Sequence, residues 1–281
     1  MNVYEIVTER IISELQKGVI PWKKPYNVAA PEAINYVSRK PYSFLNTMLL
    51  GGRSGEYITP KQAEALGGTI REGATAYLVV FFKSSSDEEE ATESERGENN
   101  DRREERRHGA FLRYYRVFHI DDVEGIESKL GPSEIGGATA NADGEQIVGD
   151  YFTREHVGLQ WNDREDAIYN PETDEIRMPD ISRFAGTDGY YGTLFKQIVH
   201  STGSANRLDR VRNADRNSEE LIGEMGGTML SSIAGITTDA QIANAAAYCD
   251  RWIRNLRENP RMVVSCAGKA TKAVKFIRGE V

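Results

Sequence analysis

The sequence predicts an α+β protein of two domains. At 281 residues the chain is longer than most single domains. Amphipathic segments with helical spacing occur beside β-branched and aromatic segments in both halves, which indicates a mixture of helices and strands. A stretch rich in Gly, Ala and Ser at 130–145 is typical of a linker. We therefore assign residues 1–127 to a first α+β domain, 128–147 to the linker and 148–281 to a second domain.

Helices come before strands in the first domain. Apolar residues recur at helical spacing over 3–17, and this pattern predicts an amphipathic helix that packs on a core. Shorter helices are predicted at 45–50 and 60–66. Strands are predicted over 75–82 and 113–120, which are rich in β-branched and aromatic residues, and we expect these two strands to pair.

A charged insertion at 84–110 separates those two strands. It holds 5 Lys and Arg against 10 Asp and Glu and shows no hydrophobic periodicity. A segment of this composition cannot bury enough apolar surface to order itself, so we predict a disordered insertion. Residues 1–83 instead hold 10 Lys and Arg against 7 Asp and Glu, although the whole chain has a formal net charge of −8. The first segment is therefore compatible with a nucleic-acid surface.

Aromatic and basic side chains recur together in this first segment. Rings can stack on unpaired bases while amines and guanidinium groups pair with phosphates, which is the chemistry of single-strand binding. The candidates for this role are Trp22, Lys23, Lys24, Arg39, Lys40, Tyr42, Tyr57 and Lys61. The alternative for the first of them is structural: Trp22 would fill a small core, and the two lysines after it would be solvated.

The second domain is predicted to be mainly helical. A helix is expected near 148–155, and two short strands turn at 170–174. Two further helices are predicted at 239–258 and 262–277. Between these elements lies the segment with the strongest chemical signal.

The segment YYGTLFKQIVHSTGSANRLDR at 190–210 contains the frame of a zinc-binding helix. In an HExxH motif two histidines four residues apart bind zinc, and the glutamate activates the metal-bound water. Here Lys196 stands at the first histidine, Gln197 at the glutamate and His200 at the second histidine. A protonated lysine has no lone pair to donate, and glutamine cannot act as a general base. A lone histidine on a helix is usually structural.

A second acidic helix follows twenty residues later. Glu220 and Glu224 lie four apart in SEELIGEMGG and share one helix face. A glutamate from a following helix completes zinc sites of the His₂Glu type. The alternative is that these residues and Glu219 form a solvated charged face.

These motifs resemble a known family. LFKQIVHSTGSANRLDR followed by EELIGEMGG is similar to the zincin-like metallopeptidase domain of ArdC-type antirestriction proteins, whose motif runs HExxHxTG…RLxR and then EELxAE. The resemblance implies that His200 and Glu220 occupy metal-ligand positions and that Glu224 supports them without binding the metal. It also implies that Lys196 occupies a lost ligand position and Gln197 the position of the catalytic base.

The N-terminal half carries a second resemblance. PWKKPYN, KPYSFLN, YITPKQAEALGGTIREG and YRVFHIDDVEGI follow one another in the order found in the single-stranded-DNA-binding domain of ArdC-like proteins. The chain is thus expected to join an N-terminal α+β single-stranded-DNA-binding domain to a C-terminal zincin-like metallopeptidase domain with a degenerate site. The implied function is protection of plasmid or phage DNA from host restriction or related defence.

The expected partner is single-stranded DNA, with a host defence protein as a second candidate. No cofactor is expected, and zinc is the ion that the site would hold if it were still competent. Two rival functions stay open. The first is a metallopeptidase that uses other ligands or whose site has been altered, acting on host proteins. The second is an acidic DNA mimic that binds a host enzyme directly.

Composition also bears on location. Cys249 and Cys266 provide no disulfide framework, which favours a reducing cytoplasm. The N-terminal segment is acidic, unlike a signal peptide. No apolar run approaches the roughly 20 residues that span a bilayer. We expect a cytoplasmic protein with no membrane partner.

Overall fold

The computed structural model describes residues 2–23, 33–51, 53, 55–83, 111–130, 141–162, 167–179, 184, 187–210, 215–236 and 245–280. The charged insertion at 84–110 lies outside these residues, and so does Lys24. The predictions made for that insertion therefore stay predictions. No helix within the described ranges is both long and apolar enough to cross a membrane.

The first domain opens with a capped amphipathic helix. The side chain of Asn2 accepts a hydrogen bond from the backbone of Glu5, whose carboxylate accepts one in return from the backbone of Asn2. The elements that follow are α1 Val3–Gln16, β1 Ala33–Asn35, α2 Phe44–Leu49, β2 Gly55–Ile58, α3 Pro60–Ala65, β3 Thr69–Ile70, β4 Tyr77–Lys83, β5 Phe111–His119 and β6 Val123–Glu124.

Four of these strands form one sheet in the order β1-β2-β5-β4. β1 and β2 are parallel, whereas β5 is antiparallel to both of its neighbours. β4 pairs with β5 along its whole length, from Tyr77 opposite Val117 to Lys83 opposite Phe111. The predicted pairing of these two strands is confirmed. β3 and β6 form a separate antiparallel pair.

The second domain contains α4 Asn141–Glu155, β7 Gly158–Asn162, β8 Ile168–Asn170, β9 Glu175–Pro179, α5 Thr187–Ser201, α6 Arg216–Ile233, α7 Ala245–Glu258 and α8 Met262–Ile277. Its sheet has the order β7-β9-β8, with β7 parallel and β8 antiparallel to the central strand. The pair β8–β9 is the predicted hairpin.

α4 begins earlier than the sequence predicts. Its first residues, from Asn141, fall in the stretch assigned to the linker. Tertiary contacts favour the helix there: the hydroxyl of Tyr191 donates a short hydrogen bond to Glu145. A segment with the Gly and Ala content of a linker can thus form a helix when a neighbouring helix, here α5, holds it in place.

One hydrophobic core runs through both domains. The largest buried cluster joins Val7, Ile11 and Met48 of the first domain to the apolar residues of α5, α6, α7 and α8. α8 contacts α1 and α2 as well as α5 and α6. The helices of the first domain therefore pack directly on those of the second.

Candidate functional site

Two closely packed helices of the second domain, α5 and α6, build the candidate site. A side chain at Gly227 of α6 would come within 3.2 Å of the backbone nitrogen of Lys196 in α5. Glycine at this position lets the two helices approach closely. This crossing brings Lys196 and His200 against Glu219, Glu220 and Glu224.

Lys196 occupies the centre of the site. Its Nζ donates a hydrogen bond of 2.6 Å to Oε1 of Glu220 and lies 3.6 Å from Oε1 of Glu224. Burial alone would raise the pKa of Glu220, but the Lys196 ammonium holds that pKa below its ordinary value. An ammonium group and an ionised carboxylate thus pair at two positions that the resemblance assigns to metal ligands.

Gln197 has a structural contact at the position of the catalytic base. Its side chain is buried, and its Oε1 accepts a hydrogen bond of 3.0 Å from the backbone nitrogen of Tyr169. The amide therefore fastens the strand β8 to α5. A neutral amide that is already engaged cannot take a proton from water.

His200 is held by a carboxylate. Its Nδ1 lies 3.1 Å from Oε1 of Glu219, and Arg210 donates to the same carboxylate through Nε and Nη2 at 3.0 and 2.8 Å. Burial would raise the pKa of Glu219, but the hydrogen bonds from His200 and Arg210 lower it. Metal-binding histidines are commonly oriented by a carboxylate at their second nitrogen. Glu219 thus gives His200 the kind of carboxylate partner that orients metal-binding histidines.

The ring of His200 also fills a gap on α6. A Cβ atom at Gly223 would lie 2.5 Å from Cε1 and 2.6 Å from Nε2 of this ring. Real contacts are never that short, so the ring occupies the space of a missing side chain. No pattern in the sequence singles out Gly223 as part of the site.

The donors of this site do not fit a zinc ion. Zinc sites take at least three ligands from the protein, whereas this one offers His200 and Glu220 beside an ammonium group. Across the part of the chain that the structure describes, no group of three or more His, Cys, Asp and Glu side chains is arranged to hold a metal.

Glu224 links the site to the first domain. The hydroxyl of Tyr248 donates a hydrogen bond of 2.6 Å to Oε2 of Glu224 and accepts one of 3.1 Å from Nε1 of Trp22. Burial and the Glu224 carboxylate raise the pKa of Tyr248, so its hydroxyl stays protonated. Lys196, Glu224, Tyr248 and Trp22 thus form a chain of contacts from the site to the N-terminal segment. Sequence reasoning missed Tyr248, which lies far along the chain.

Arg207 of the RLDR segment connects the elements that surround the site. It is 3% exposed and donates to both oxygens of Asp174, at 2.8 and 2.7 Å, and to Oε2 of Glu155 at 3.2 Å. It also donates to the backbone oxygen of Ser201 at the end of α5. One guanidinium group therefore joins α4, the β8–β9 hairpin and α5. Its place directly after the histidine motif was the available signal.

Two of the predicted stacking residues are not accessible. Trp22 and Tyr57 are both 0% exposed. Trp22 packs edge-on against Trp252 at 5.7 Å, and Tyr57 packs against Tyr77 at 5.5 Å. A base cannot stack on a ring that is covered on all sides. The assignment of these rings as open stacking faces is therefore corrected, and the structural alternative for Trp22 describes its position.

The other predicted DNA contacts are distributed over the surface. Lys40 and Lys61 are exposed, and Tyr42 is half-buried. Arg39 pairs with the buried carboxylate of Glu56 through a short hydrogen bond. The side chain of Lys23 and all of Lys24 lie outside the described residues.

Two family models match the chain, one in each domain. Residues 1–118 match the N-terminal domain of the anti-restriction factor ArdC. Residues 148–269 match the zincin-like metallopeptidase domain. The two matches follow the domain order predicted from the motifs.

Solved structures of one protein resemble the whole chain. The metal-free crystal structure of the antirestriction protein ArdC from plasmid R388 is 29% identical, with a TM-score of 0.73, and the match covers 100% of this chain and 98% of that one. The Mn(II)-bound structure of ArdC is 28% identical, with a TM-score of 0.71 and the same coverage.

Curated relatives extend the picture. The DNA primase TraC of Escherichia coli is 29% identical over 98% of this chain, but the match covers 20% of TraC. The chain thus spans about a fifth of the length of that relative. The uncharacterized protein y4eC of Sinorhizobium fredii is 27% identical over 99% of this chain and 92% of its own length. The chain therefore has the domain composition of an ArdC-like protein, with an ArdC N-terminal domain followed by a zincin-like metallopeptidase domain.

Proposed function

We propose that this protein binds single-stranded DNA and protects the incoming DNA of a plasmid or phage from host defence. The match of residues 1–118 to the ArdC N-terminal domain and the plasmid origin of the similar ArdC structure support this function. The excess of Lys and Arg over Asp and Glu in residues 1–83 suits binding to phosphates.

The second domain, in this proposal, does not hydrolyse peptide bonds. The observation that carries this part is the hydrogen bond of 2.6 Å between Lys196 and Glu220. It supports the proposal because the resemblance assigns Lys196 to a ligand position and Gln197 to that of the base, and both side chains are engaged by other residues. A protonated lysine has no lone pair for a metal, and a neutral amide cannot act as the base that activates water.

The DNA-binding part is tested by fluorescence anisotropy on the full chain. The probes are a labelled mixed-sequence oligonucleotide and the duplex made from it, each titrated across a salt series. We expect tighter binding to the single strand, with the logarithm of the binding constant falling by about 0.7 per phosphate neutralised for each log unit of salt. A preference for the duplex, or binding that ignores salt, would contradict the proposal.

A metallopeptidase is the second candidate function, and the Mn(II)-bound structure of the similar ArdC protein favours it. The two candidates are separated by incubating the protein with a peptide library in the presence of added Zn²⁺ or Mn²⁺. We expect no cleavage above a heat-treated control. Metal-dependent cleavage by the unmodified chain would favour the enzyme.

A further inference from the structure

An open aromatic face lies on the sheet of the first domain. Phe81 of β4 is 42% exposed, and its ring lies 6.2 Å from that of Tyr42 and 5.8 Å from that of Tyr115 in β5. Tyr42 and Tyr115 are half-buried. The three rings form a connected group, which we call the outer aromatic face.

This face has a rigid support. Val79 and Val117 lie on the same face of the sheet as Phe81 and belong to a buried cluster against which Tyr42 and Tyr115 pack. Tyr57 of that cluster packs edge-on against Tyr42 at 6.1 Å. A ring held by a packed core loses little freedom when a ligand stacks on it.

Positive charge borders the rings. Arg113 lies directly opposite Phe81 in the β4–β5 ladder and is exposed. Lys40, two residues before Tyr42, is exposed as well. Glu56, the acidic residue of the neighbouring strand β2, is buried and already pairs with Arg39. Arg113 and Lys40 therefore give the surroundings of the rings a positive charge that complements phosphates.

We propose that the outer aromatic face is the site at which single-stranded nucleic acid stacks its bases, with Arg113 contacting the phosphate backbone. The inference rests on the proposed function and locates its binding site. An exposed ring flanked by two half-buried rings and a guanidinium group forms the kind of platform that binds single strands with little sequence preference. A duplex hides the faces of its bases within the stack, so these rings would discriminate against it.

The β4 and β5 strands provide matched controls. Phe82 follows Phe81 on β4 and is 59% exposed, but successive strand residues point to opposite faces of a sheet. Arg116 is likewise exposed and lies opposite Leu78, on the other face from Arg113. Phe81→Ala and Phe82→Ala therefore remove the same ring from opposite faces of the sheet. Arg113→Gln and Arg116→Gln likewise remove the same charge from opposite faces.

Anisotropy with the single-stranded oligonucleotide measures all four variants of the full chain, and circular dichroism verifies that each is folded. We expect Phe81→Ala to weaken binding about 5- to 150-fold and Phe82→Ala to leave it unchanged. Arg113→Gln should lower the salt slope by about 0.7, whereas Arg116→Gln should not. If Phe81→Ala does not fold, Phe81→Leu removes the ring while keeping an apolar side chain.

Two results would overturn the inference in different ways. If the unmodified protein binds single strands and the two members of each pair behave alike, the binding face is wrong but the proposed function stands. If the unmodified protein does not bind single strands, the proposed function fails together with the site.

Discussion

The ammonium group of Lys196 donates a hydrogen bond of 2.6 Å to Glu220 and thereby joins α5 to α6 at the centre of the zincin-like domain. Glu224, at 3.6 Å, is the second carboxylate near the same cation. The positive charge that compensates these two carboxylates is thus supplied by the Lys196 side chain.

Removing this cation is expected to destabilise the fold. Lys196→Met would leave Glu220 and the buried Glu224 without their ammonium partner, at a cost of about 1–3 kcal/mol. Urea unfolding at neutral pH measures the difference. Lys272→Met, on the exposed side of α8, is the matched control and should change stability by less than about 0.5 kcal/mol. Equal effects of the two changes would show that the ion pair contributes nothing specific.

Lys196→His is expected to restore metal binding. The new imidazole would join His200, already oriented by Glu219, and Glu220 to give a His₂Glu set. Elemental analysis after dialysis should find stoichiometric zinc in this variant and none in the unmodified chain or in Lys196→Met. Hydrolysis should also require Gln197→Glu, because only that change supplies a base. Zinc in the unmodified chain would contradict our description of the site.

Gly223→Ala is expected to be destabilising. The added methyl group would overlap the ring of His200, and such overpacking costs about 1–3 kcal/mol. Gly268→Ala is the control, because Gly268 lies in α8 with no atom within 4 Å of a Cβ. Alanine there should stabilise the helix by about 0.5–1 kcal/mol. Thermal unfolding should therefore shift in opposite directions, and two shifts of the same sign would exclude the steric explanation.

Arg207 is expected to tolerate neither removal nor exchange for lysine. Arg207→Ala would leave the partly exposed carboxylates of Asp174 and Glu155 without their partner, at a cost of about 1–3 kcal/mol. Lysine cannot reproduce the bidentate contact with Asp174, so Arg207→Lys should recover only part of this loss. Arg177→Lys, at an exposed arginine of β9, should be nearly neutral by the same unfolding assay.

The same contact predicts a pH dependence. The hydrogen bond from Arg207 lowers the pKa of Asp174 below its ordinary value of 3.8. A carboxyl group whose pKa is lowered by folding stabilises the fold above its unfolded pKa, and this contribution is lost as the pH falls through the folded value. Stability should therefore fall below about pH 4, and Asp174→Asn should make that fall shallower. An unchanged slope in thermal melts at decreasing pH would assign the acid sensitivity to other carboxylates.

Local patterns were sufficient for much of the fold. α8 runs over Met262–Ile277 as predicted, because its apolar residues recur at helical spacing after Pro260. The β4–β5 pairing was predictable from two segments rich in β-branched and aromatic residues. Both signals depend on neighbours in the sequence, and packing did not override them.

Burial of single aromatic residues was harder to predict. The partners of Trp22 are Tyr248 and Trp252, more than two hundred residues away along the chain. The nearest neighbours of Trp22 in the sequence are prolines and lysines, which suit an exposed segment as well as a buried one. Tyr57 was misassigned for a related reason, since the strand that covers it is distant in sequence.

The sequence indicated which residues form the site, but not the hydrogen bonds that join them to other elements. The resemblance assigned Lys196 and Glu220 to two positions of one metal site, and the structure contains an ion pair between them. The contact of Gln197 with Tyr169 depends on the register of β8 against α5, which no pattern in the motif determines. The same holds for Tyr248 on Glu224.

The hydrophobic core shared by α1, α2 and α8 makes the two domains one cooperative folding unit. Separate domains normally meet where few contacts cross the boundary, and each can then unfold alone. Here, cutting the chain between residues 127 and 148 would expose Val7, Ile11 and Met48 on one fragment and the matching side of α8 on the other. Neither fragment would reproduce the behaviour of its half in the intact chain, and unfolding of the whole protein should proceed as a single transition.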